Sequence, residues 1–461
     1  MSTKERSGHA VVLGAGVGGL LAARVLSEFH TAVSVYDRDS LPAGAAHRKG
    51  VPHDVPLHGL LARGRAVIED LFPGASDDLV AQDAIPVDMQ RDFIWYPNGN
   101  LLPRTESGLH GLCVSRPTLE AYLRRRVLEL PAVTIHQRHQ ALGLLSGAHG
   151  TIGGVRVEPS GGPEQRVRAD LVVDATGRGS RAPTWLAELG HDRPAEEGLD
   201  TATVYVSRDY RRRPDDADFA GAFMGPSPRA PYGGFVIAVE GDRWMTVLLG
   251  VGPDQTPPTD PDGYLAFARK LSGPQLSDLL SRAEPLDQPK RLRLAASLRR
   301  RYEKLVSVPD GFLAIGDAFC AFNPSYAQGM TVAAVQAAVL RECLRAGPDR
   351  LPRRFFAQAA KAVDAPWEVG RGGDLRYPHV AGHRPVAVTV IGRYLDRLSR
   401  AASRHPAVAR RFLSVFNLMA PPSKLFAPAM LARVLSAGRP PTASIPAYRA
   451  DAGVPVVAER A

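Results

Sequence analysis

The chain has 461 residues, of which 44% are hydrophobic and 23% are charged. This composition excludes intrinsic disorder, and the length allows two or three domains or one large enzyme with an interrupted core. The formal net charge is +10, and residues 351–461 account for the excess with 17 Lys and Arg against 6 Asp and Glu. No base-reading motif accompanies these arginines, so we interpret them as a solvated helical face and expect no nucleic-acid partner.

The cysteine pattern and the apolar runs indicate a protein of a reducing compartment. Cys113, Cys320 and Cys343 are odd in number and widely spaced, which argues against a disulfide framework and a zinc site. The 13 histidines show no metal-ligand spacing, so no metal site is predicted. There is no signal-peptide core and no apolar stretch long enough to span a bilayer. We therefore expect a cytoplasmic protein without an integral membrane segment.

The chain begins with a β-α-β pattern. His9–Leu13 and Ala32–Tyr36 are predicted strands, Gly19–Phe29 between them is a predicted helix, and residues 41–58 are a loop. The later predicted elements are, in chain order, helix Arg116–Leu128, strands Ala169–Asp174, Thr201–Ser207, Phe235–Glu240, Trp244–Val251 and Gly311–Ile315, and helix Thr331–Arg345. A Gly-Asp-Arg turn predicts a hairpin between the third and fourth of these strands. Beyond residue 351 helices are predicted, interrupted by Pro366, Pro378, Pro385, Pro421 and Pro422.

This order of elements predicts an α/β protein with an interrupted nucleotide-binding domain. The predicted segments of that domain are residues 1–75, 105–185 and 305–350. An inserted β-rich substrate domain is predicted over residues 76–104 and 186–304, and a C-terminal helical region over residues 351–461.

A glycine-rich turn follows the first predicted strand. Gly14, Gly16 and Gly19 match G-x-G-x-x-G between a strand and a helix, and Asp37 ends the next strand. In this context the first glycine permits a tight turn, the second lets the backbone approach a pyrophosphate, and the third lets the helix pack on the sheet. The helix amides then face the phosphates, and Asp37 can accept hydrogen bonds from ribose hydroxyls.

Two later segments distinguish FAD from NAD. Residues 169–177 form a buried strand that ends in a small-residue turn, and residues 311–319 are followed by a Pro-to-Gly-Met turn at 324–330. With these motifs the sequence resembles the para-hydroxybenzoate hydroxylase type of fold, that of group A flavin monooxygenases. The resemblance implies a Rossmann-like FAD-binding domain of the glutathione-reductase type, with an inserted β-sheet substrate domain and a C-terminal helical region.

The resemblance also implies roles for the residues that match the motifs. Gly316 and Asp317 would hold the ribityl chain, with the carboxylate on its hydroxyls. Pro324, Gly329 and Met330 would bring a helix N-terminus to the flavin pyrimidine edge. Backbone amides and the helix dipole stabilise the negative charge that reduced flavin carries there.

Further segments resemble a narrower, actinobacterial-type subgroup, similar to polyene epoxidases of polyether biosynthesis and more distantly to squalene epoxidase. The matching segments are residues 48–52, 58–64, 115–120, 323–330, 373–378 and 417–423. In that family the arginine matching Arg116 lies along the FAD. We add Arg38 and Arg48 to the predicted cofactor-binding residues.

The sequence departs from this subgroup at two places that should lie near the isoalloxazine ring. Residues 53–56 are His-Asp-Val-Pro where the subgroup has Gln-Gly-Arg-His, and Ala327 replaces a glycine. A lost arginine and an added methyl group could alter the movement of the ring or the access of oxygen.

The leading hypothesis is an FAD-dependent monooxygenase that epoxidises or hydroxylates a hydrophobic polyene or polyketide-type substrate in secondary metabolism through a flavin C4a-hydroperoxide. NAD(P)H, bound transiently, or a separate flavin reductase would reduce the flavin. The cofactor performs the hard step, so no catalytic residue is assigned. His58, His110 and Tyr326 could act as acids or hydrogen-bond donors, and Tyr232, Phe235 and Trp244 could line an apolar pocket.

Two alternatives remain. The first is a redox-neutral cyclase on the same scaffold, similar to FAD-dependent enzymes that form decalin rings by [4+2] cyclisation, in which FAD is structural and a shaped cavity aligns diene and dienophile. The second is a reductase that saturates isoprenoid double bonds, although the subgroup motifs point elsewhere.

Overall fold

A computed structural model describes residues 6–48, 50, 58–293 and 296–436. The helices are α1 Val17–Leu26, α2 Ala62–Leu71, α3 Ala75–Val80, α4 Arg116–Leu128, α5 Ala182–Glu188, α6 Pro261–Ala268, α7 Gln275–Arg282, α8 Gly329–Arg345, α9 Leu351–Asp374, α10 Val386–Ala402, α11 Pro406–Phe416 and α12 Pro428–Ser436. The strands are β1 His9–Leu13, β2 Ala32–Asp37, β3 Ile85–Asp88, β4 Phe93–Tyr96, β5 His110–Cys113, β6 Val133–Gln137, β7 His139–Ser146, β8 Ile152–Pro159, β9 Gln165–Arg168, β10 Leu171–Asp174, β11 Glu196–Leu199, β12 Thr203–Arg211, β13 Gly221–Met224, β14 Tyr232–Val239, β15 Arg243–Val251, β16 Lys290–Arg293, β17 Ser297–Arg300, β18 Phe312–Ala314 and β19 Cys320–Ala321.

A five-stranded parallel sheet forms the first layer, with strand order β18-β10-β1-β2-β6. Its central strands are continuous apolar runs because both faces are covered by other elements. Helices α1 and α8 pack against each other beside this sheet, and Leu20, Leu21 and Leu340 between them are fully buried. All five strands come from the three segments predicted to form the cofactor domain, and the boundaries of that domain stay a prediction.

A six-stranded sheet in the order β16-β12-β15-β14-β13-β4 forms the second large layer. Side chains alternate between its two faces, so Ala238 and Trp244 pack with α6 and α7, whereas Ile237 and Met245 pack with α10, α11 and α12. The predicted hairpin is confirmed: β14 and β15 pair antiparallel through a turn in which Gly241 and Asp242 have positive φ.

Three small sheets complete the fold. Strands β11, β17 and β19 form an antiparallel sheet that connects the second layer to the segment after β18, while β3 pairs with β5, and β7, β8 and β9 form a meander. The α/β fold class, with a parallel sheet, further sheets and C-terminal helices, is confirmed.

One prediction about the tail is wrong. Pro366 does not interrupt a helix but lies inside the 24-residue α9. A proline inside a helix costs about 3 kcal/mol, and burial of Phe355, Val363 and Trp367 on both sides of it offsets that cost. The other predicted breaks are confirmed, because α9 ends before Pro378, α10 begins after Pro385 and α11 ends before Pro421 and Pro422. The last 25 residues of the predicted helical region lie outside the described residues.

Candidate cofactor-binding site

The glycine turn between β1 and α1 has the geometry that the sequence predicted. Gly14 has φ +100°, and a side-chain carbon there would lie 2.6 Å from the carbonyl oxygen of Ala175 on the neighbouring strand end. A carbon at Gly19 would lie 1.9 Å from the carbonyl oxygen of Gly14, so only glycine allows this close packing of helix on turn. At Gly16 the nearest atom would be 3.9 Å away, so the backbone is open on that side.

The N-terminus of α1 has no side-chain cap in the part of the chain that the structure describes. Gly16 is the N-cap residue, and the first turn carries no acidic residue. Uncapped amides and the positive end of the helix dipole favour a phosphate group at this position.

The end of β2 carries a buried ion-pair cluster. The carboxylate of Asp37 accepts hydrogen bonds from the amides of Ala15 (2.7 Å) and Asp39 (2.9 Å) and from Nη2 of Arg48 (2.6 Å). The other guanidinium nitrogen of Arg48 lies 2.6 Å from Glu120 Oε1. Arg48 therefore links the glycine turn, β2 and α4. The predicted hydrogen bonds from ribose hydroxyls to Asp37 would use the lone pairs of its carboxylate that these donors leave unoccupied.

Burial opposes the charge of Arg48, but Asp37 and Glu120 outweigh it, so the pKa of Arg48 is raised. Arg38 does not join this cluster. Its side chain is exposed and donates to the carbonyl oxygen of Gly50 at 3.2 Å. Glu120 was not among the predicted site residues, although it stands in a motif that the sequence singled out.

The Gly-Asp turn after β18 meets the first glycine turn. Gly316 has φ +63° and its amide donates to Gln336 Oε1 at 2.7 Å. A side-chain carbon at Gly18 would lie 3.9 Å from Cα of Gly316, so segments about 300 residues apart in the chain are in contact. A carbon at Gly329 would lie 3.8 Å from Asp317 Oδ1, which places that carboxylate at the start of α8.

Three arginines lie close enough to Asp317 to affect its pKa. Burial raises the pKa of Asp317, and the charges of Arg178, Arg116 and Arg300 lower it. Nη1 of Arg116 lies 3.4 Å from Nε2 of His58. Nε of Arg116 is buried and has no hydrogen-bond acceptor within the described part of the chain. An arginine with spare donor capacity beside this carboxylate suits a polar ligand such as the FAD chain.

Arg300 is a residue that the sequence analysis missed. It is buried, donates to the carbonyl oxygens of Ala318 (3.0 Å) and Arg178 (3.0 Å), and pairs with Glu196 at 2.9 Å. Arg300 therefore holds the turn at Gly316 and Asp317 in place through its hydrogen bond to the backbone of Ala318. Within the run Arg299-Arg300-Arg301 no local signal distinguishes this buried arginine from a solvated one.

The turn before α8 is a short 3-10 helix at Pro324–Tyr326 followed by Ala327 in the left-handed region, at φ +53°. The methyl group of Ala327 packs against Gly59. A side-chain carbon at position 59 would lie only 3.0 Å from Cβ of Ala327, so the methyl group fits because residue 59 is a glycine. Helix α8 has no side-chain N-cap and no acidic residue in its first turn, and buried Oε1 of Gln328 is unpaired among the described atoms. Residues 53–56, the other departure, lie outside the described residues.

A buried polar network lies behind this turn and was also missed. Tyr326 donates to Asp374 Oδ1 at 2.9 Å and Tyr205 donates to Asn323 Oδ1 at 2.8 Å. Nδ2 of Asn323 lies 3.4 Å from the same oxygen of Asp374. Burial raises the pKa of Asp374 to about 6, although the bonds from Tyr326 and Asn323 lower it. A side-chain carbon at Gly373 would lie 2.4 Å from the Tyr326 hydroxyl, so α9 requires glycine there.

The other polar and aromatic candidates are dispersed. Phe235 and Tyr205 belong to one apolar cluster between the six-stranded sheet and the segment after α9. Trp244 and Tyr232 face the other side of that sheet, where they pack with α6 and α7. The side chain of His110 is exposed on β5. Within the described ranges no group of His, Cys, Asp or Glu could hold a metal ion, and no helix is both long and apolar enough to cross a membrane.

Comparison with known proteins shows one relative that matches most of the chain. Protein Rv3254 of Mycobacterium tuberculosis is 35% identical over 425 residues, which are 89% of this chain and 90% of that protein. Squalene monooxygenase 1,1 of Brassica napus is 24% identical over 371 residues, 78% of this chain and 66% of that protein. A family model described as an NAD(P)-binding Rossmann-like domain matches residues 12–72.

The fold also matches solved structures. PqsL of Pseudomonas aeruginosa, described as a probable FAD-dependent monooxygenase, superposes with a TM-score of 0.62 at 16% identity and covers 80% of this chain and 97% of its own. FAD-dependent halogenases share this fold. The predicted FAD-binding Rossmann-like fold is confirmed, and the relatives support the predicted class of FAD-dependent oxidoreductase.

Proposed function

The chain belongs to the family that includes Protein Rv3254 and has the fold of FAD-dependent monooxygenases and halogenases, and from this we propose that it is an FAD-dependent monooxygenase. We propose as its substrate a hydrophobic polyene or polyketide-type molecule of secondary metabolism, which it epoxidises or hydroxylates.

The observation that carries this proposal is the convergence of two distant glycine turns and two uncapped helices. Gly18 and Gly316 are in contact, and the N-termini of α1 and α8 carry neither capping side chains nor acidic residues. A dinucleotide with a flavin ring needs such amides at its pyrophosphate and at its pyrimidine edge. The donors and the carboxylates of Asp37 and Asp317 fit FAD.

FAD, when bound and reduced, supplies the activation of molecular oxygen. The protein's part is to bind, to orient and to exclude water. Gly16 would admit the pyrophosphate, Asp317 would accept hydrogen bonds from the ribityl hydroxyls, and Arg116 would lie along the cofactor. The amides of Gly329 and Met330, together with the helix dipole of α8, would stabilise negative charge at the pyrimidine edge.

The apolar cluster beside the turn supports a lipophilic substrate. Tyr205, Phe235 and Leu249 are buried on one face of the six-stranded sheet, and Tyr205 is hydrogen-bonded to Asn323 at the start of the flavin-facing turn. A substrate bound against this face of the sheet would meet aliphatic and aromatic side chains, which suits an alkene chain.

We propose that NAD(P)H, bound transiently, or a separate flavin reductase reduces the FAD. The chain contains one G-x-G-x-x-G turn, which FAD would occupy, so no second nucleotide fold is assigned to NAD(P)H. Three free, buried cysteines agree with a reducing, cytoplasmic location.

A redox-neutral [4+2] cyclase on the same scaffold is the second candidate. The observation that favours it is Ala327, whose methyl group stands at a left-handed position of the turn that would face the flavin ring. An altered ring environment matters less to an enzyme in which FAD is structural.

The two candidates differ in whether oxygen is incorporated. The FAD-loaded protein would be incubated with a panel of linear polyenes, NADPH, a flavin reductase and ¹⁸O₂, and the products analysed by mass spectrometry. Products that carry one ¹⁸O atom, and that require the reductant, are expected. Products isomeric with the substrate and formed without reductant would replace the monooxygenase by the cyclase.

A further inference from the structure

We propose that α10, α11 and α12 form a docking surface for an anionic phospholipid bilayer. This inference goes beyond the proposed function and does not depend on it. Residues 381–436 contain nine Lys and Arg and a single acidic residue, Asp396, and thus carry most of the chain's net charge of +10.

The same helices expose large apolar side chains. Val386 is 80% exposed, Val390 58% and Ile391 43%, all in the first two turns of α10. Phe426, also exposed, stacks on Tyr394 of α10 with ring centroids 4.9 Å apart, so the apolar patch continues past the helix. Six of the twelve exposed large hydrophobic side chains in the described residues belong to 381–436. Such a concentration marks an interaction site.

The geometry of α10 separates an inner face from an outer one. Leu398 and Ala402 are buried against the six-stranded sheet. Val386, Val390, Arg393 and Arg397, spaced four, three and four residues apart, lie along one outer stripe of the helix. The first half of this stripe is aliphatic and the second half is basic.

The basic side chains beside the patch are available to a partner. In the part of the chain that the structure describes, Arg393 and Arg397 are exposed and form no ion pair, and the same is true of Arg411, Lys424 and Arg433. The one acidic side chain of the region, Asp396, is paired with Arg376 at 2.8 Å.

The combination of exposed aliphatic side chains with exposed basic side chains favours a lipid surface as the partner. Anionic headgroups would neutralise the arginines while the aliphatic residues enter the boundary with the acyl chains. A nucleic acid would meet the charge but leave Val386, Val390 and Ile391 in water. A second copy of this chain would meet the apolar patch but bring its own excess of positive charge.

The test is co-sedimentation of the full-length, FAD-loaded protein with vesicles of phosphatidylglycerol and phosphatidylcholine, or of phosphatidylcholine alone. The protein is expected to bind the anionic vesicles, and more weakly as salt is raised. Val390→Asp with Ile391→Asp, and separately Arg393→Glu with Arg397→Glu, should each weaken binding at least tenfold. The single variant Val386→Asp provides a second apolar test at a more exposed position.

Val306→Asp is the matched control, because Val306 is 89% exposed and lies outside these helices. It should bind vesicles like the wild type, and all variants should keep their FAD content and melting temperature. Absence of binding to anionic vesicles, or equal binding by the apolar and charge variants, would overturn the proposal. A dimer in solution that Val390→Asp with Ile391→Asp dissociates would also overturn it, since the patch would then be an interface between copies.

Discussion

The hydroxyl group of Tyr326 lies 2.9 Å from the carboxylate of Asp374, to which it donates a hydrogen bond. This bond joins the turn before α8 to the end of α9, and Asp374 is only 3% exposed. A buried carboxylate is stabilised mainly by the groups that donate hydrogen bonds to it. The conformation of the turn, which positions the Tyr326 hydroxyl, and the protonation of Asp374 are therefore coupled.

Stability should depend on pH through Asp374. Because burial raises its pKa from 3.8 to about 6, its contribution to the free energy of unfolding is complete below pH 3.8 and is lost as the pH rises through about 6. The loss amounts to about 3 kcal/mol. Asp374→Asn should therefore flatten the decline in stability between pH 4 and pH 7, measured by denaturant unfolding at several pH values.

Two variants check this assignment. Asp254→Asn changes an exposed residue and should leave the pH dependence as it is. Tyr326→Phe removes a bond that lowers the pKa of Asp374, so the decline should extend to higher pH. An unchanged profile in Asp374→Asn would show that another group causes the decline.

Alanine substitutions at two glycines of the same turn should affect different properties, one the stability of the fold and the other the affinity for FAD. Gly19→Ala places a methyl group 1.9 Å from the carbonyl oxygen of Gly14, so the melting temperature should fall sharply. Gly16→Ala meets no atom within 3.8 Å, so the fold should persist while FAD affinity falls at least about tenfold, or about 1.4 kcal/mol. Thermal melting and FAD titration measure the two effects separately.

Gly44→Ala is the control, because a side chain there meets no atom within 4 Å. It should change neither quantity. If Gly16→Ala bound FAD as tightly as the wild type, the pyrophosphate would not lie at this turn.

Removal of Arg48 should destabilise the protein. Arg48→Ala leaves the buried carboxylates of Asp37 and Glu120 without their partner, a loss of about 3–5 kcal/mol in the free energy of unfolding at neutral pH. Arg91→Ala, which breaks an exposed pair, is expected to have little effect, and a similar small effect for Arg48→Ala would refute the structural role.

Asp317 should contribute to cofactor affinity more than to stability. Asp317→Asn keeps the shape of the side chain but removes the charge that we propose faces the ribityl hydroxyls, so FAD should bind about tenfold to a hundredfold more weakly. Because burial raises the pKa of Asp317, the apoprotein should be no less stable than the wild type. Isothermal titration with FAD checks the affinity, and unaltered binding would remove Asp317 from the site.

The parts of the site that could be predicted from the sequence are those whose conformation is determined by residues close together in the chain. Gly14 and Gly19 are required by a turn a few residues long, and Ser115 caps α4 through its bond to Thr118, so strand, turn and helix follow from nearby residues. The contact of Gly18 with Gly316 followed only from the family resemblance, since no local pattern brings those turns together.

The parts that were missed depend on distant partners. Asp374 becomes a buried acid because Asn323 and Tyr326 reach it from about 50 residues away. Arg300 can be buried because a carbonyl group of another turn accepts a hydrogen bond from its guanidinium group. Pro366 was expected to end a helix on local grounds, and long-range packing of Trp367 and Val363 overrides that preference.

The most direct test of the monooxygenase proposal is the redox behaviour of the bound flavin. The FAD-loaded protein would be mixed without oxygen with NADPH or NADH, with and without a flavin reductase, and its absorbance recorded. We predict that the bands of oxidised flavin bleach under at least one of these conditions and return with consumption of oxygen when air is admitted. FAD that stays oxidised under every condition would contradict the monooxygenase and leave the redox-neutral cyclase.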